Sequence, residues 1–455
     1  QSALKLNDVD FVVDGDLKGN KEQRTLDVAI EARLKVPSLS SIWQILPEEL
    51  TRTKDVTVSG NANMTLTSKG VYGAGQLPVT TVDLAIEKGA VAYHQFPGKI
   101  SLLETTAKAY IDFIADKNSY IEVEQFKLEG TGVKAHATAS LQQPMSAQVM
   151  NAVINADLDL SKIKEIFPLP KGMSMVGQAG LAVEANGDLK KLIAGDYNNL
   201  DVEGDITLQN ISLQAAADSV QLEIKEGLVS SHRDGRDKGM IKTKLAGLQA
   251  QYKNEHYIQL QQGEVGMRRG KLSGDHTPVA AKLSIGGLEY KSVAKEILAV
   301  DKLEARASVT SMDIKNLEAK GTASFRELQV KAEQDTIDLA IQNGDFNFRR
   351  SVKDRMKAEL ELSAIKAGYK TDHAVEIGLA KVSVGKGKGA LQDARLKADA
   401  TLQGMKYNNK TGDKVAAANM VAHAFVTPGK TWSRPAAITS TFTADSLYAL
   451  SGKNF

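Results

Sequence analysis

Apolar and polar residues alternate with a period of two along nearly the whole chain, the pattern of strands with one sheltered and one wet face. In Val82-Asp83-Leu84-Ala85-Ile86 three branched residues fall on one side, and Leu396-Lys397-Ala398-Asp399-Ala400-Thr401-Leu402 repeats the arrangement. Gly, Asn and Asp punctuate the strand-length pieces and supply turn conformations, whereas Pro occurs only 10 times in 455 residues. Helical signals are short. Leu39 to Pro47 has a capping Ser40, one apolar face formed by Ile42, Ile45 and Leu46, and Pro47 as a stop. Leu160 to Pro168 matches it without a gap.

The chain repeats itself in other places. Val56 to Gly70 (VTVSGNANMTLTSKG) and Met173 to Gly187 (MSMVGQAGLAVEANG) both carry Gly at the fifth and fifteenth positions, which suits a turn or bulge at each end of a strand. A second unit occurs three times, as VDLAIEKGAV from Val82, VQLEIKEGLV from Val220 and IDLAIQNGDF from Ile337. Each reads as a strand, a polar turn ending in Gly89, Gly227 or Gly344, and a return strand, with hairpin chemistry at Lys88-Gly89 and Asn343-Gly344. A third unit aligns Leu200–Leu213 with Leu317–Val330. At about 10–13 residues per strand and turn, the pattern predicts roughly 30–40 strands. The expected fold is mostly β: one long antiparallel sheet of repeated hairpin blocks, curled into an open trough with its apolar face inward, and a few short helices. Residues 1–455 then form one extended array, with internal blocks near 26–112, 150–240 and 310–350.

Composition narrows the function. Hydrophobic residues are 42%, enough for a sheltered face, while charged residues at 25% set the chain apart from disordered sequences. Lys plus Arg (57) nearly balances Asp plus Glu (55), and aromatics are only 5%, so neither the charge nor the stacking surface of a nucleic-acid binder is present. With no cysteine, disulfides, thiolate metal sites and cysteine nucleophiles are excluded, and the absence fits a bacterial envelope compartment. No apolar run reaches the roughly 18 residues of a membrane helix. Gln1 leads directly into a strand-like segment, so the terminus reads as cut and a membrane anchor as removed.

Reactive constellations are weak. The seven histidines (His94, His136, His232, His256, His276, His373 and His423) lack metal-ligand spacing and read as strand residues. Gly385 to Gly389 (GKGKG) lacks the spacing of a phosphate loop. His232 to Lys238 reads as a solvated hairpin loop. Asp157 and Asp159 share a strand face without a partner motif and read as exposed carboxylates. Trp43 and Trp432 are the only tryptophans, and Trp43 reads as a plug at the end of a sheet layer.

The run Val153-Ile154-Asn155-Ala156-Asp157-Leu158-Asp159-Leu160-Ser161, followed by Ile166-Phe167-Pro168 and by the Gly177-to-Gly187 strand, resembles the AsmA-like proteins of Gram-negative bacteria. Leu77-Pro78, Ile86 to Gly89, Tyr93, Phe96-Pro97-Gly98 and Tyr197 to Ile211 carry the same likeness, which is clearest over residues 26–230. The resemblance implies a protein of the same broad class as TamB and the bridge-like lipid carriers of eukaryotes. Such a protein sits in the periplasm, anchored to the inner membrane by a segment absent from this chain. It moves phospholipid or another amphipathic lipid along a hydrophobic groove and supports lipid transport or outer-membrane homeostasis. The energetics are compatible: exposing one sixteen-carbon acyl chain to water costs on the order of 12 kcal/mol, which an apolar trough offsets. The expected groove lining is the branched face of the repeated unit: Val82, Leu84 and Ile86, then Val220, Leu222 and Ile224, then Ile337, Leu339 and Ile341. No catalytic residue, metal or cofactor is expected. The competing readings are a structural or adhesin-like β-scaffold, an assembly factor for outer-membrane proteins, and a polysaccharide hydrolase on a β-scaffold.

Overall fold

The computed structural model describes residues 2–6, 8–41, 56–73, 75–93, 97–166, 169–195, 200–234, 238–269, 279–310, 318–332, 337–350, 355–370, 372–386, 396–427 and 437–452. Ile42 to Pro47, Trp43, His94, His276, Trp432 and the Gly387–Gly389 part of the glycine–lysine run lie outside them. The strands form an antiparallel sheet of 24 strands, open rather than closed into a barrel. By internal contacts the chain divides into two units, residues 1–210 and 211–455.

The first unit runs through β1 (Ser2–Leu6), β2 (Val9–Asn20), β3 (Thr25–Val36), β4 (Val56–Tyr72), β5 (Val79–Tyr93) and β6 (Lys99–Ile111). It continues through β7 (Tyr120–Gly130), β8 (Val133–Gln142), β9 (Val149–Asp159), β10 (Met173–Asp188) and the start of β11 (Asp201–Ala215). From β1 to β10 each strand pairs antiparallel with its chain neighbours. The register brings apolar residues into rows that cross the strands. One row reads Phe11, Leu34, Met64, Leu84, Ala107 and Val123, from β2 to β7. The spacing between neighbours in such a row, about 4.5–5.5 Å, is what makes cross-strand pairs the unit of sheet stabilisation.

The second unit is built from longer, more uniform strands. They are β12 (Val220–Asp234), β13 (Lys238–Tyr252), β14 (His256–Arg269), β15 (Val279–Ser292), β16 (Glu296–Val309) and β17 (Ala319–Ala332). Then come β18 (Ile337–Arg350), β19 (Met356–Tyr369), β20 (His373–Lys386), β21 (Leu396–Asn409), β22 (Lys414–Thr427), β23 (Ala437–Asp445) and β24 (Tyr448–Leu450). Strands β14 and β15 start at residues 256 and 279, and β20 and β21 start 117 positions later, at 373 and 396. This block is therefore a tandem repeat with a constant offset, more regular than the spacing across the whole chain. Strands β23 and β24 both pair with β22 and together form its last neighbour.

Two sequence expectations change. The Gly89, Gly227 and Gly344 segments are not hairpin turns: each lies in the interior of one continuous strand, β5, β12 or β18. The strands are consequently fewer and longer, 24 among the described residues, with most in the second unit 14 or 15 residues long. A local Asn-Gly or Lys-Gly step fits a turn or a mid-strand irregularity equally well, and pairing on both sides over the full length selects the second. Of Leu160–Pro168, the described residues contribute a single 3-10 turn at Ile163–Glu165; of Leu39–Pro47, residues 39–41 are helical and the remainder lies outside the described residues. A helix that the sequence pattern did not announce, α1 (Leu189–Ile193), starts where the Asp188 carboxylate accepts the Lys191 backbone N–H at 3.1 Å.

The mid-strand irregularities of the second unit line up. Gly247, Gly287, Glu327, Ala364 and Gly404, on the alternate strands β13 to β21, all have φ between +50° and +64°. In the ladders the pairs that would join them to Gln261, Asp301, Gln342 and Gly378 are skipped, while the register is unchanged on either side. The result is a crease running across the strands. On crossing it, the apolar residues change phase. In β18 they are Ile337, Leu339 and Ile341 before it, and Gly344, Phe346 and Phe348 after it. Both sets lie on one face: a Cβ built on Gly263 would come within 3.0 Å of Leu260 Cδ2, although residues three apart point to opposite faces of a regular strand. Two consecutive polar residues, such as Gln261-Gln262 or Gln342-Asn343, stay exposed at the change of phase.

Candidate functional site

The apolar face of the second unit is the most extended feature of the sequence pattern in three dimensions. Before the crease, one row reads Ile224, Leu248, Leu260, Leu288, Val300 and Leu328, and continues through Ile341, Ile365 and Ile377. After the crease, a row through Val265, Leu283, Ala305, Ala323, Phe346 and Leu360 runs on to Phe442 of β23. At about 4.8 Å per strand, the twelve strands β12 to β23 make this face roughly 53 Å across.

Every expected groove residue occupies such a row. Val82, Leu84 and Ile86 pair with Leu66, Met64 and Ala62 on one side and with Ala109, Ala107 and Thr105 on the other. Val220, Leu222 and Ile224 face Tyr252, Ala250 and Leu248. Ile337, Leu339 and Ile341 face Ala332, Val330 and Leu328 and then Tyr369, Ala367 and Ile365. The first triplet belongs to the first unit and the other two to the second.

Among the described elements, substantial packing joins chain-neighbouring elements and no second layer lies over this face. Its side chains are therefore open. Val265 is 49% exposed, Met267 46% and Phe346 40%, while Ile341, beside the crease, is 7% exposed. The accessible surface of the chain is 29014 Å², against about 17,000 Å² for a globular protein of the same mass. Soluble proteins rarely leave an apolar area of this extent without a ligand or partner for it.

One margin of the face carries a polar aromatic cluster, present twice. Tyr252 stacks on His256 with ring centres 6.3 Å apart, and His256 stacks on Tyr290 at 6.1 Å. His256 Nδ1 is hydrogen-bonded to Tyr290 Oη at 2.9 Å. The repeat reproduces the set at Tyr369, His373 and Tyr407, with His373 Nδ1 and Tyr407 Oη 2.7 Å apart. These are the two hairpin ends β13–β14 and β19–β20, where a ring with one polar edge sits at the border between the apolar rows and water. Their histidines appeared in the sequence as isolated strand residues. A constant offset of 117 applied to Tyr252, His256 and Tyr290 would have exposed the pattern.

The opposite face is charged and paired across strands. Lys242 meets Glu264 at 3.2 Å, Lys381 meets Glu361 at 3.0 Å, and Arg326 Nε donates to Asp301 at 2.9 Å. The Lys242 ammonium, hydrogen-bonded to Glu264, holds that carboxyl below its usual range. His423 sits 2.6 Å from Asp399, whose carboxyl is lowered first by Lys397 and then by His423. A recess of about 940 Å³ opens on this face over β13 to β19.

The remaining sequence candidates have structural surroundings. Asp159 accepts the Ser161 hydroxyl at 2.5 Å and its backbone N–H at 3.1 Å, and so ends β9. His136 is an exposed residue of β8. No group of three or more metal-ligating side chains occurs among the described residues. No described helix is long and apolar enough to cross a membrane. Compared with protein-family models, with curated proteins and with solved structures, the chain finds no match in any of the three.

Proposed function

We propose that this protein is a non-enzymatic lipid-binding protein that receives the acyl chains of phospholipid, or of another amphipathic lipid, on the apolar face of its sheet. The observation that carries the reading is the run of open apolar rows, unbroken from β12 to β23 in the second unit and repeated through β2 to β7 in the first. Acyl chains are the ligand chemistry that such a surface accepts without specific polar contacts. Each methylene withdrawn from water contributes about 0.8 kcal/mol, so even shallow contact over a few strands retains a chain. Equivalent rows on strand after strand offer no preferred stopping point, which suits movement along the sheet better than storage. The Tyr–His–Tyr margins provide a border at which a polar headgroup meets water. Following the AsmA-like resemblance, the reading extends to a periplasmic protein at the inner membrane of a Gram-negative bacterium, acting in lipid transport between membranes and in outer-membrane homeostasis.

The test is organic extraction of the purified chain followed by mass spectrometry. Phospholipid at several molecules per chain is expected, falling at least fivefold in the Val265→Asp/Phe346→Asp variant. Both positions are exposed, so the variant is expected to keep its strand content. A native chain free of lipid, or a variant that retains its full lipid load, overturns the proposal.

A further inference from the structure

We propose that the recess on the charged face of the second unit is a binding site for a multivalent phosphorylated anion, separate from the apolar face. The recess spans β13 to β19 and holds about 940 Å³. The residues whose phase points to the charged side form two cross-strand rows. One contains Lys242, Lys282 and Arg306. The next contains Arg268, Lys320, Arg349 and Lys357. Two carboxylates share the lining, Glu264 and Glu359, giving seven cations against two anions.

Each carboxylate is engaged with a cation at the edge of the set. Glu264 pairs with Lys242 at 3.2 Å and Glu359 with Lys357 at 2.6 Å. Lys282, Arg306, Lys320 and Arg349 lie between them on β15 to β18; Lys282 acts on Glu264 and, with Arg306, on the neighbouring Glu304 through space only, and none of the four is in a direct ion pair with a described carboxylate. For a chain whose net charge is only +2, this is a strong local excess. A concave surface with one sign of charge concentrates the opposite ion. Arginine forks bind two oxygens of a phosphoryl group at once, and the lysines add point charge. Phe348 is the only aromatic among the described residues of the lining, and its phase places the ring on the apolar face. The site therefore lacks a stacking platform for bases, and the chemistry it fits is the phosphoryl group itself. That group is supplied either by a soluble oligophosphate or by a lipid headgroup.

The experiment titrates the full chain with inorganic tripolyphosphate by calorimetry at low salt, and measures its co-sedimentation with phosphatidylglycerol vesicles. The variant is Arg306→Gln/Lys320→Gln/Arg349→Gln. A control, Lys69→Gln/Lys366→Gln/Lys406→Gln, removes the same charge elsewhere. Tripolyphosphate is expected to bind the native chain, to lose at least tenfold in affinity in the recess variant, and to change less than twofold in the control. Vesicle binding lost in the same variant assigns the phosphoryl group to a lipid headgroup. Vesicle binding absent or unchanged, with tripolyphosphate binding lost, assigns it to a soluble anion. Absence of tripolyphosphate binding in the native chain, or equal losses in the two variants, overturns the proposal. These readouts are independent of lipid retention on the apolar face.

Discussion

The crease across the second unit makes a quantitative prediction at Ala364. This residue is held at φ +50°, where its repeat counterpart 117 positions earlier is Gly247, at φ +63°. An L-residue in the left-handed region costs about 1–2 kcal/mol, and glycine's extra chain entropy in a strand costs roughly 0.5–1 kcal/mol. Ala364→Gly is therefore expected to stabilise β18 to β20 by about 0.5–1 kcal/mol. The reciprocal change, Gly247→Ala, gains the same conformational cost and a steric one, because its Cβ would stand 2.8 Å from Lys225 Cβ. It is expected to destabilise β12 to β14 by about 1–3 kcal/mol. A long repeat sheet does not unfold in a single step, so local amide hydrogen exchange is the appropriate assay. Exchange in β18 to β20 should slow by about two- to fivefold in Ala364→Gly and quicken by a larger factor in β12 to β14 in Gly247→Ala. If Ala364→Gly quickens exchange, or Gly247→Ala leaves it unchanged, the left-handed conformation is not what sustains the crease.

Other consequences are open to direct measurement. A Cβ on Gly344 would stand 2.2 Å from the Phe325 ring, so Gly344→Leu must displace that ring, at a cost of about 1–3 kcal/mol read from amide hydrogen exchange in β17 to β19; adding Phe325→Ala should recover part of the loss. Ile341, 7% exposed between Leu328 and Ile365, should lose about 2–4 kcal/mol on truncation to Ala, whereas the open Val265→Ala should lose far less. Asp413 accepts the Gly452 backbone N–H at 2.8 Å, and with Asn409, Thr411 and Ser451 this lowers its carboxyl from 3.8 to about 2. Because the folded value is the depressed one, the contribution of Asp413 is complete above about pH 4 and is lost as the pH falls towards 2. Protection of the Gly452 amide should follow that window, and Asp413→Ala should remove it at every pH.

Much of the fold was readable in the chain. The alternation at Val82–Ile86, Val220–Ile224 and Ile337–Ile341 identified strands and the side they shelter, because a period of two has one structural meaning once one face is apolar. The misreading at Gly89, Gly227 and Gly344 has a local cause. Two polar residues followed by glycine end a strand at a hairpin and equally mark a change of phase within one. The signal was nevertheless present: the alternation resumes with opposite parity after Lys225-Glu226, Gln261-Gln262 and Asp301-Lys302, which a true turn does not require. The cationic recess had no linear signature at all. Lys242, Lys282, Arg306, Lys320 and Arg349 are scattered over more than a hundred positions, one to a strand, so no contiguous basic run marks them.

By itself, then, the sequence determined the β class, the antiparallel order of neighbouring strands and the apolar side of each half-strand, since these depend on period and on chain proximity, but not where each strand ends. Tertiary structure alone decided which residues of separate strands stand in register. Register converts single apolar positions into a face about 53 Å across, aligns five left-handed residues into a crease, and gathers cations from seven strands into one recess. All three depend on hydrogen-bonded ladders between segments distant along the chain, which no local pattern specifies.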